Sequence, residues 1–184
     1  MDDEGDEIKV TVEWAHIDDR LIKILLVFNN TYWCFEICQD GNDENIWRMA
    51  LNGNSRLFVI EKEEDIFKVG QRVFIDFGSA KQYIRQTTVQ MLSSAWNYCD
   101  EMYQKEKWEE ADGGLVKTFD NETFLAIVDY EKDCSLFFGN KCLKNYPTRE
   151  IAVQDAQKQY IYTVVPILME LHIANHTDTD FYEQ

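Results

Sequence analysis

The spacing of hydrophobic residues along the chain changes near residue 79. Before that point, runs such as "IKVTVEW" at residues 8–14 place an apolar residue at every second position, which is typical of a half-buried strand. The inner face of this strand would hold Ile8, Val10, Val12 and Trp14. Further β-rich runs are "LIKILLVF", "TYWCFEIC", "IWRMAL", "SRLFVIE" and "RVFIDF". Asn29-Asn30 joins the first two of these runs, and Asn tolerates the positive φ angles of a tight hairpin. We therefore predict an antiparallel meander up to residue 78, with "DGNDEN", "LNGN" and "EKEEDIFKVG" as loops.

After Ser79 the apolar residues recur at steps of three and four, which is typical of one face of a helix. The positions concerned are Ile84, Thr88, Met91, Ala95, Cys99 and Met102. No Gly or Pro interrupts residues 79–112, so we predict a helix of about 25 to 30 residues. The apolar stripe stops near Met102, and the residues beyond it should form a polar helix end that Gly113-Gly114 closes.

A second set of strands and a second helix follow. "LVKTF", "TFLAIVDY" and "CSLFFG" indicate three strands. "YPTREIAVQDAQKQYIYTVVPILMELHIA" indicates a helix with Thr148 as its N-cap and Glu150 in its first turn. Pro166 should kink or restart this helix. The sequence therefore predicts an α+β fold in which antiparallel strands pack against two helices, in the order strands, long helix, strands, helix.

The length of 184 residues suits one domain. Residues 1–7 would be a mobile acidic tail, and residues 8–184 would form the domain. Two sub-modules, 8–112 and 113–184, are the alternative organisation.

The charge balance narrows the kinds of partner. Thirty-four acidic residues against 18 basic ones give a net charge of −16. Nucleic acids and anionic membranes are bound through basic surfaces, so the chain should bind neither directly. A basic protein is the partner that this charge favours. The alternative is that the acidity serves solubility alone.

The acidic residues are concentrated at two places that we predict to contact a partner. In the polar helix end, acids would oppose the helix dipole, just as Lys81 and Arg85 would near the helix start. Since folding gives no reason for acids there, we predict a docking surface with an aromatic anchor: Asp100, Glu101, Glu106, Trp108, Glu109, Glu110 and Asp112. The alternative is a solvated helix end with Trp108 folded back onto the sheet. A second acidic patch, predicted to lie in a loop, contains Glu61, Glu63, Glu64 and Asp65.

The cysteine pattern indicates a reducing compartment. Five cysteines form an odd set, and most lie in apolar runs, so we predict buried free thiols at Cys34, Cys38, Cys99, Cys134 and Cys142. The N-terminus is acidic and unlike a signal peptide, and no apolar run approaches the roughly 20 residues of a membrane span. We therefore expect a cytoplasmic protein.

Signals for metals and catalysis are weak. His172 and His176 have the i, i+4 spacing of zinc ligands, with Asp178 and Asp180 beyond them, but a third ordered ligand is not evident. "DGNDENIW" lacks the glycine and glutamate of a calcium-binding loop. No catalytic residue can be assigned, and we expect no cofactor. A metal-dependent hydrolase or nuclease that uses acidic residues is one alternative function.

In size and acidity the chain resembles phage-encoded inhibitors of restriction and CRISPR enzymes, and immunity proteins against nuclease toxins. The resemblance is one of composition, and it implies binding without catalysis. The leading hypothesis is an inhibitor or decoy that occludes a basic, nucleic-acid-handling protein. A structural or homo-oligomeric interaction module is a further alternative.

Overall fold

The computed structural model describes residues 11–18, 21–51, 55–120 and 123–176. These residues form twelve strands and two helices, and the strands make two antiparallel sheets. The predicted α+β class is thus confirmed. The chain divides into two compact units, one comprising residues up to 93 and from 166 onward, and the other comprising residues 94–165. The tail predicted at residues 1–7 lies outside the described residues.

The first unit contains a seven-stranded sheet whose strands follow one another in chain order, which confirms the predicted meander. Asn29 and Asn30 form the turn between the second and third strands with φ angles of 44° and 59°. The strands are β1 (Thr11–Asp18), β2 (Leu21–Phe28), β3 (Thr31–Gln39), β4 (Ile46–Leu51), β5 (Ser55–Glu63), β6 (Ile66–Val69) and β7 (Arg72–Phe74).

One face of this sheet packs against the first part of α1 (Phe77–Lys105). Alternate residues of β2 and β3 are buried, including Trp33, which is fully inaccessible to solvent. The Thr88 hydroxyl lies 3.9 Å from the Met49 sulfur, and the rings of Trp47 and Phe77 are 4.8 Å apart. Period-two alternation in the strands and period-3.6 spacing in the helix therefore meet in one core.

The run "RVFIDF" predicted that Asp76 belongs to a strand. Asp76 instead lies directly before α1 and caps its start. Its carboxylate accepts hydrogen bonds from the Ser79 backbone N–H at 2.7 Å and from the Ser79 hydroxyl at 2.8 Å. These bonds satisfy donors at the helix start, as an N-cap does, and they hold the pKa of Asp76 below its usual value. The first turn of α1 contains no acid, as predicted, but the carboxylate of Asp76 lies directly before it, where the helix dipole favours a negative charge.

The second unit contains a five-stranded sheet with the spatial order β12-β11-β10-β9-β8. Its core includes Phe119 and Tyr160, whose rings stack with centroids 4.5 Å apart, together with Tyr103 of α1. The strands are β8 (Glu109–Ala111), β9 (Gly114–Phe119), β10 (Thr123–Asp129), β11 (Cys134–Phe138) and β12 (Lys141–Tyr146).

The sequence predicted the wrong end for α1. The helix stops at Lys105, and the two glycines that were expected to close it belong to a hairpin. Asp112 and Gly113 form the turn, where Gly113 has a φ of 78°. A Cβ at Gly114 would lie 1.8 Å from the Ile127 carbonyl oxygen, so the neighbouring strand approaches too closely for a side chain. The strands β6, β8 and β12 were also missed, because they are short or charged.

The second helix, α2 (Arg149–His176), begins as predicted. The Ile151 N–H donates to the Thr148 hydroxyl at 3.4 Å, and the Ala152 N–H donates to the Thr148 carbonyl at 3.1 Å. Glu150 lies in the first turn. The helix continues through Pro166 as one element and does not restart there. Among the described residues, no helix combines the length and the hydrophobicity that a membrane crossing needs.

All five cysteines are free, as predicted, but they are not all buried. Cys99 and Cys134 are buried and Cys34 and Cys38 are half-buried, whereas Cys142 is exposed because it lies on the edge strand β12. Burial raises the pKa of Cys99 to about 12, which keeps this thiol protonated at neutral pH.

We expect a maleimide to label Cys142 first in the native protein, because reaction requires an accessible thiolate. Peptide mapping by mass spectrometry at short reaction times should find the label there and not on Cys99 or Cys134. Cys142→Ser should remove the fast phase. Fast labelling of Cys99 would show that the native core opens easily at this point.

Candidate functional site

The acidic residues near position 110 are carried by a hairpin, whereas the sequence predicted a helix end. β8 pairs with β9 from Glu109 opposite Val116 to Ala111 opposite Gly114. Glu109, Glu110 and Asp112 are all exposed, and β8 is the outermost strand of its sheet. Because strand pairing fixes the backbone, the three carboxylates are held on an ordered edge. We call them the second-unit acidic hairpin.

Arg149 connects this hairpin to the start of α2. Its Nη1 atom lies 3.0 Å from Oε1 of Glu110, while Nη2 and Nε donate to the two carboxylate oxygens of Asp129. The hydrogen bonds from Arg149 lower the pKa of Asp129. The positive charge of Arg149 is unfavourable at the N-terminus of α2, but the carboxylates of Glu110 and Asp129 compensate it. Glu110 is therefore partly neutralised within the chain.

Lys117 caps the end of α1 from the neighbouring strand β9. Its side chain is only 4% exposed, and its ammonium group donates to the carbonyls of Tyr103 and Glu106, at 2.9 Å each. The ammonium also lies 3.7 Å from the centroid of the Tyr103 ring. Burial lowers the pKa of Lys117, and the Glu106 carboxylate opposes this shift. A cation thus satisfies the last carbonyls of α1, where the dipole favours positive charge.

Trp108 lies close to the buried Lys117 side chain. The centroid of its indole ring lies 5.6 Å from the Lys117 ammonium. Burial raises the pKa of Tyr103, and the neighbouring Trp108 side chain opposes this shift. The indole is half-buried. Its use as an anchor for a partner stays a prediction, and its contact with Lys117 of β9 agrees with the alternative in which Trp108 folds back onto the sheet.

The remaining residues of the predicted docking surface lie around the helix end. Asp100 is half-buried and accepts a hydrogen bond from the side chain of Gln157 in α2. Glu101 is exposed on the last turns of α1, and Glu106 follows the helix with its side chain half-buried. The predicted set is therefore divided between a helix end and a hairpin. Its role in partner binding stays a prediction.

The second predicted patch is also a hairpin, although the sequence had placed it in a loop. Glu61 and Glu63 belong to β5, opposite Lys68 and Ile66 of β6. Glu64 and Asp65 form the turn, where Glu64 has a φ of 52°. We call the four exposed residues Glu61, Glu63, Glu64 and Asp65 the first-unit acidic hairpin. Lys68 forms an ion pair with Glu63.

Sequence reasoning missed Lys117 and Arg149. Lys117 could have been noticed, because it lies two residues before Phe119 and therefore on the face of β9 that Phe119 turns to the core. A lysine at an inward position needs a partner for its charge. Arg149 gave no such signal, because its carboxylates come from strands that are distant in sequence.

A further polar network lies between β12 and α2. Oδ2 of Asp155 accepts hydrogen bonds from the Tyr146 hydroxyl at 2.7 Å and from Lys144 and Gln159 at 3.0 Å each. Burial opposes ionisation of Asp155, but these hydrogen bonds outweigh it and lower the pKa. Burial and the Asp155 carboxylate raise the pKa of Tyr146. The network ties a strand to a helix and contains no activated nucleophile.

Within the part of the chain that the structure describes, no three His, Cys, Asp or Glu side chains are grouped so that they could hold a metal ion. The zinc ligands considered in the sequence fall partly outside this part, since Asp178 and Asp180 are not described. His172 is exposed on α2.

Searches of protein families, of characterised proteins and of solved structures found no match to this chain, so no relative indicates its function.

Proposed function

We propose that this protein is an acidic inhibitor or decoy that binds and occludes a basic, nucleic-acid-handling protein and catalyses no reaction itself. The observation behind the proposal is the net charge of −16 together with an exposed acidic hairpin in each unit. In each hairpin two of the carboxylates belong to paired strand residues and the others lie in the turn that joins the strands. Such a surface is ordered before a partner arrives, which reduces the entropy lost on binding.

Ion pairs with basic residues of the chain neutralise only part of the negative charge of the two acidic hairpins. Lys68 pairs with Glu63 in the first-unit acidic hairpin, and Arg149 pairs with Glu110 in the second. Glu64, Asp65, Glu109 and Asp112 remain as further exposed carboxylates at the two hairpins. These groups can form charge-assisted hydrogen bonds with lysine and arginine side chains.

Occlusion is the mechanism that fits these features. Proteins that handle nucleic acids hold phosphates with lysine and arginine, and carboxylates can occupy the same cations. Complementary charge accelerates association, and the effect weakens as salt screens it over about 10 Å at 0.1 M ionic strength. Binding should therefore be stoichiometric, fast and sensitive to salt.

The first experiment is capture on the immobilised protein at two salt concentrations, followed by competition with nucleic acid. Basic nucleic-acid-binding proteins should be retained at about 50 mM salt and released at about 500 mM. Added DNA or RNA should displace them as well, because it competes for the same cations. Retained proteins that resist both salt and nucleic acid would contradict occlusion.

We expect neutralisation of the acidic hairpins to weaken binding without unfolding the protein. The changes are Glu109→Gln with Glu110→Gln and Asp112→Asn, and separately Glu61→Gln, Glu63→Gln, Glu64→Gln and Asp65→Asn. Affinity for a captured partner should fall roughly tenfold per hairpin at low salt, mainly through slower association. Melting temperatures should change by only a few degrees, because exposed ion pairs contribute about 0–1 kcal/mol. Stopped-flow kinetics at several salt concentrations would measure both rates.

The control carries Glu131→Gln and Asp133→Asn, exposed acids between β10 and β11, together with Asp120→Asn, which is exposed at the end of β9, so that it removes three charges as the second-unit variant does. Its association rate should stay close to that of the wild type. If this control weakens binding as much as the hairpin variants do, the acidity acts only through net charge and the hairpins are not the contact surface.

A further inference from the structure

Arg149 divides its guanidinium group between two carboxylates of unequal exposure. Nε and Nη2 donate to the two carboxylate oxygens of Asp129, while Nη1 lies 3.0 Å from Oε1 and 3.3 Å from Oε2 of Glu110. The side chain of Asp129 is 30% exposed, whereas that of Glu110 is 75% exposed. The two-bond pair with Asp129 therefore holds Arg149 in place, since paired N–H donors fit a carboxylate closely. The contact with Glu110 is the weaker one, because an exposed ion pair contributes little.

The weaker contact involves a carboxylate of the proposed binding surface. Glu110 belongs to the second-unit acidic hairpin, and Nη1 of Arg149 is within reach of both its oxygens. A lysine or arginine of a partner that approached Glu110 would compete with Arg149 for these oxygens. The positive charge of Arg149 would also repel the approaching cation. The free chain therefore presents this hairpin with one of its three carboxylates already engaged.

We propose that Arg149 is an internal competitor of the basic partner, which restrains binding until Glu110 turns from Arg149 to a cation of the partner. This inference rests on the proposed function and adds a regulation of the same surface. Asp129 would keep Arg149 at the start of α2 during the exchange, so the fold need not change. An exposed ion pair corresponds to at most about a fivefold change in an equilibrium constant. The restraint is therefore large enough to measure and small enough for a partner to overcome.

Arg149→Lys tests the competition without a change in net charge. A lysine ammonium is a compact charge and lacks the planar fork that spans two carboxylates, so it should stay with Asp129 and release Glu110. The probe is an octa-arginine peptide, added to a protein whose first-unit acidic hairpin is neutralised so that this hairpin does not contribute. Calorimetric titration at about 50 mM salt should give a dissociation constant about two- to fivefold lower for Arg149→Lys than for the protein that retains Arg149.

Two comparisons locate the effect. In a protein that also carries Glu110→Gln, Arg149→Lys should leave the dissociation constant unchanged, because the contested carboxylate is absent. Arg48→Lys is the matched control, since Arg48 forms an ion pair with Asp40 in the first unit, with 2.9 Å between Nε and Oδ2. This control should not change the affinity for the peptide.

The outcomes separate this inference from the proposed function. If neutralising Glu109, Glu110 and Asp112 together does not weaken peptide binding, the proposed function fails at this surface and the inference fails with it. If that variant weakens binding but Arg149→Lys has no effect, Arg149 does not compete for Glu110, and only this inference is overturned. An equal gain from Arg149→Lys after Glu110→Gln would overturn it as well, because the gain would not depend on the contested carboxylate.

Discussion

Replacing Lys117 with methionine is expected to lower the free energy of unfolding by about 3 kcal/mol. The carbonyls of Tyr103 and Glu106 would lose the donor that now lies 2.9 Å away, and an unsatisfied buried acceptor costs about 1–3 kcal/mol. The contact between the ammonium and the Tyr103 ring contributes about 2 kcal/mol more when it is shielded from water. Part of this loss is offset because methionine buries no charge. Urea denaturation followed by circular dichroism would measure the difference.

The control is Lys105→Met, which removes an exposed lysine from the last turn of the same helix. It should cost less than about 0.5 kcal/mol. The pH dependence gives a second test. Burial places the folded-state pKa of Lys117 below the unfolded-state value of 10.5. At a pH between the folded-state and unfolded-state pKa values, the unfolded chain binds more protons than the folded chain. The contribution of Lys117 to stability therefore rises with pH in this range. The loss caused by Lys117→Met should therefore increase as pH approaches 10.5. Equal losses for the two lysine variants would show that Lys117 does not cap α1.

Trp108→Ala is expected to destabilise the fold by about 2–3 kcal/mol, which is less than the roughly 3–5 kcal/mol of a fully buried tryptophan because the indole is half-buried. The indole lies near the Lys117 ammonium and beside the Tyr103 phenol, so truncation would expose both groups. Thermal unfolding of the variant would measure this loss. Trp108→Phe should recover part of it, since the phenyl ring restores part of the apolar contact.

A partner anchor would behave differently. In that case Trp108→Ala would leave the melting temperature unchanged and accelerate dissociation of a captured partner by a factor that corresponds to about 2 kcal/mol. Unfolding and dissociation measured on the same variant therefore separate the two roles of the indole. Loss of both properties would mean that the indole packs in the fold and that the binding surface depends on this packing.

The sequence was sufficient where local periodicity determines structure. The meander around Asn29-Asn30, the presence of α1 and the cap at Thr148 follow from alternation, helical spacing and turn chemistry. These features depend on residues close together in the chain.

The sequence failed where distant residues decide the outcome. Glu109, Glu110 and Ala111 have low β propensity. They form a strand because they pair with β9, and β9 can lie close to β10 because Gly114 has no side chain. Helical periodicity does not show that α1 stops at Lys105, because the group that caps it, Lys117, comes from a strand further along the chain. The acidic positions were found from composition, but whether they lay on a helix or a hairpin depended on strand pairing.

The division of the chain affects the order in which the protein can fold during synthesis. The second unit is continuous, so all its residues are available once Val165 has emerged from the ribosome. The first unit is interrupted, and it lacks the last part of α2 until residues 166–176 have been made. At translation rates of about 5–20 residues per second, the meander must wait for its final helical segment although it is synthesised first. The later unit can therefore complete its core earlier, and during that interval the seven strands have only their own pairing and the first part of α1.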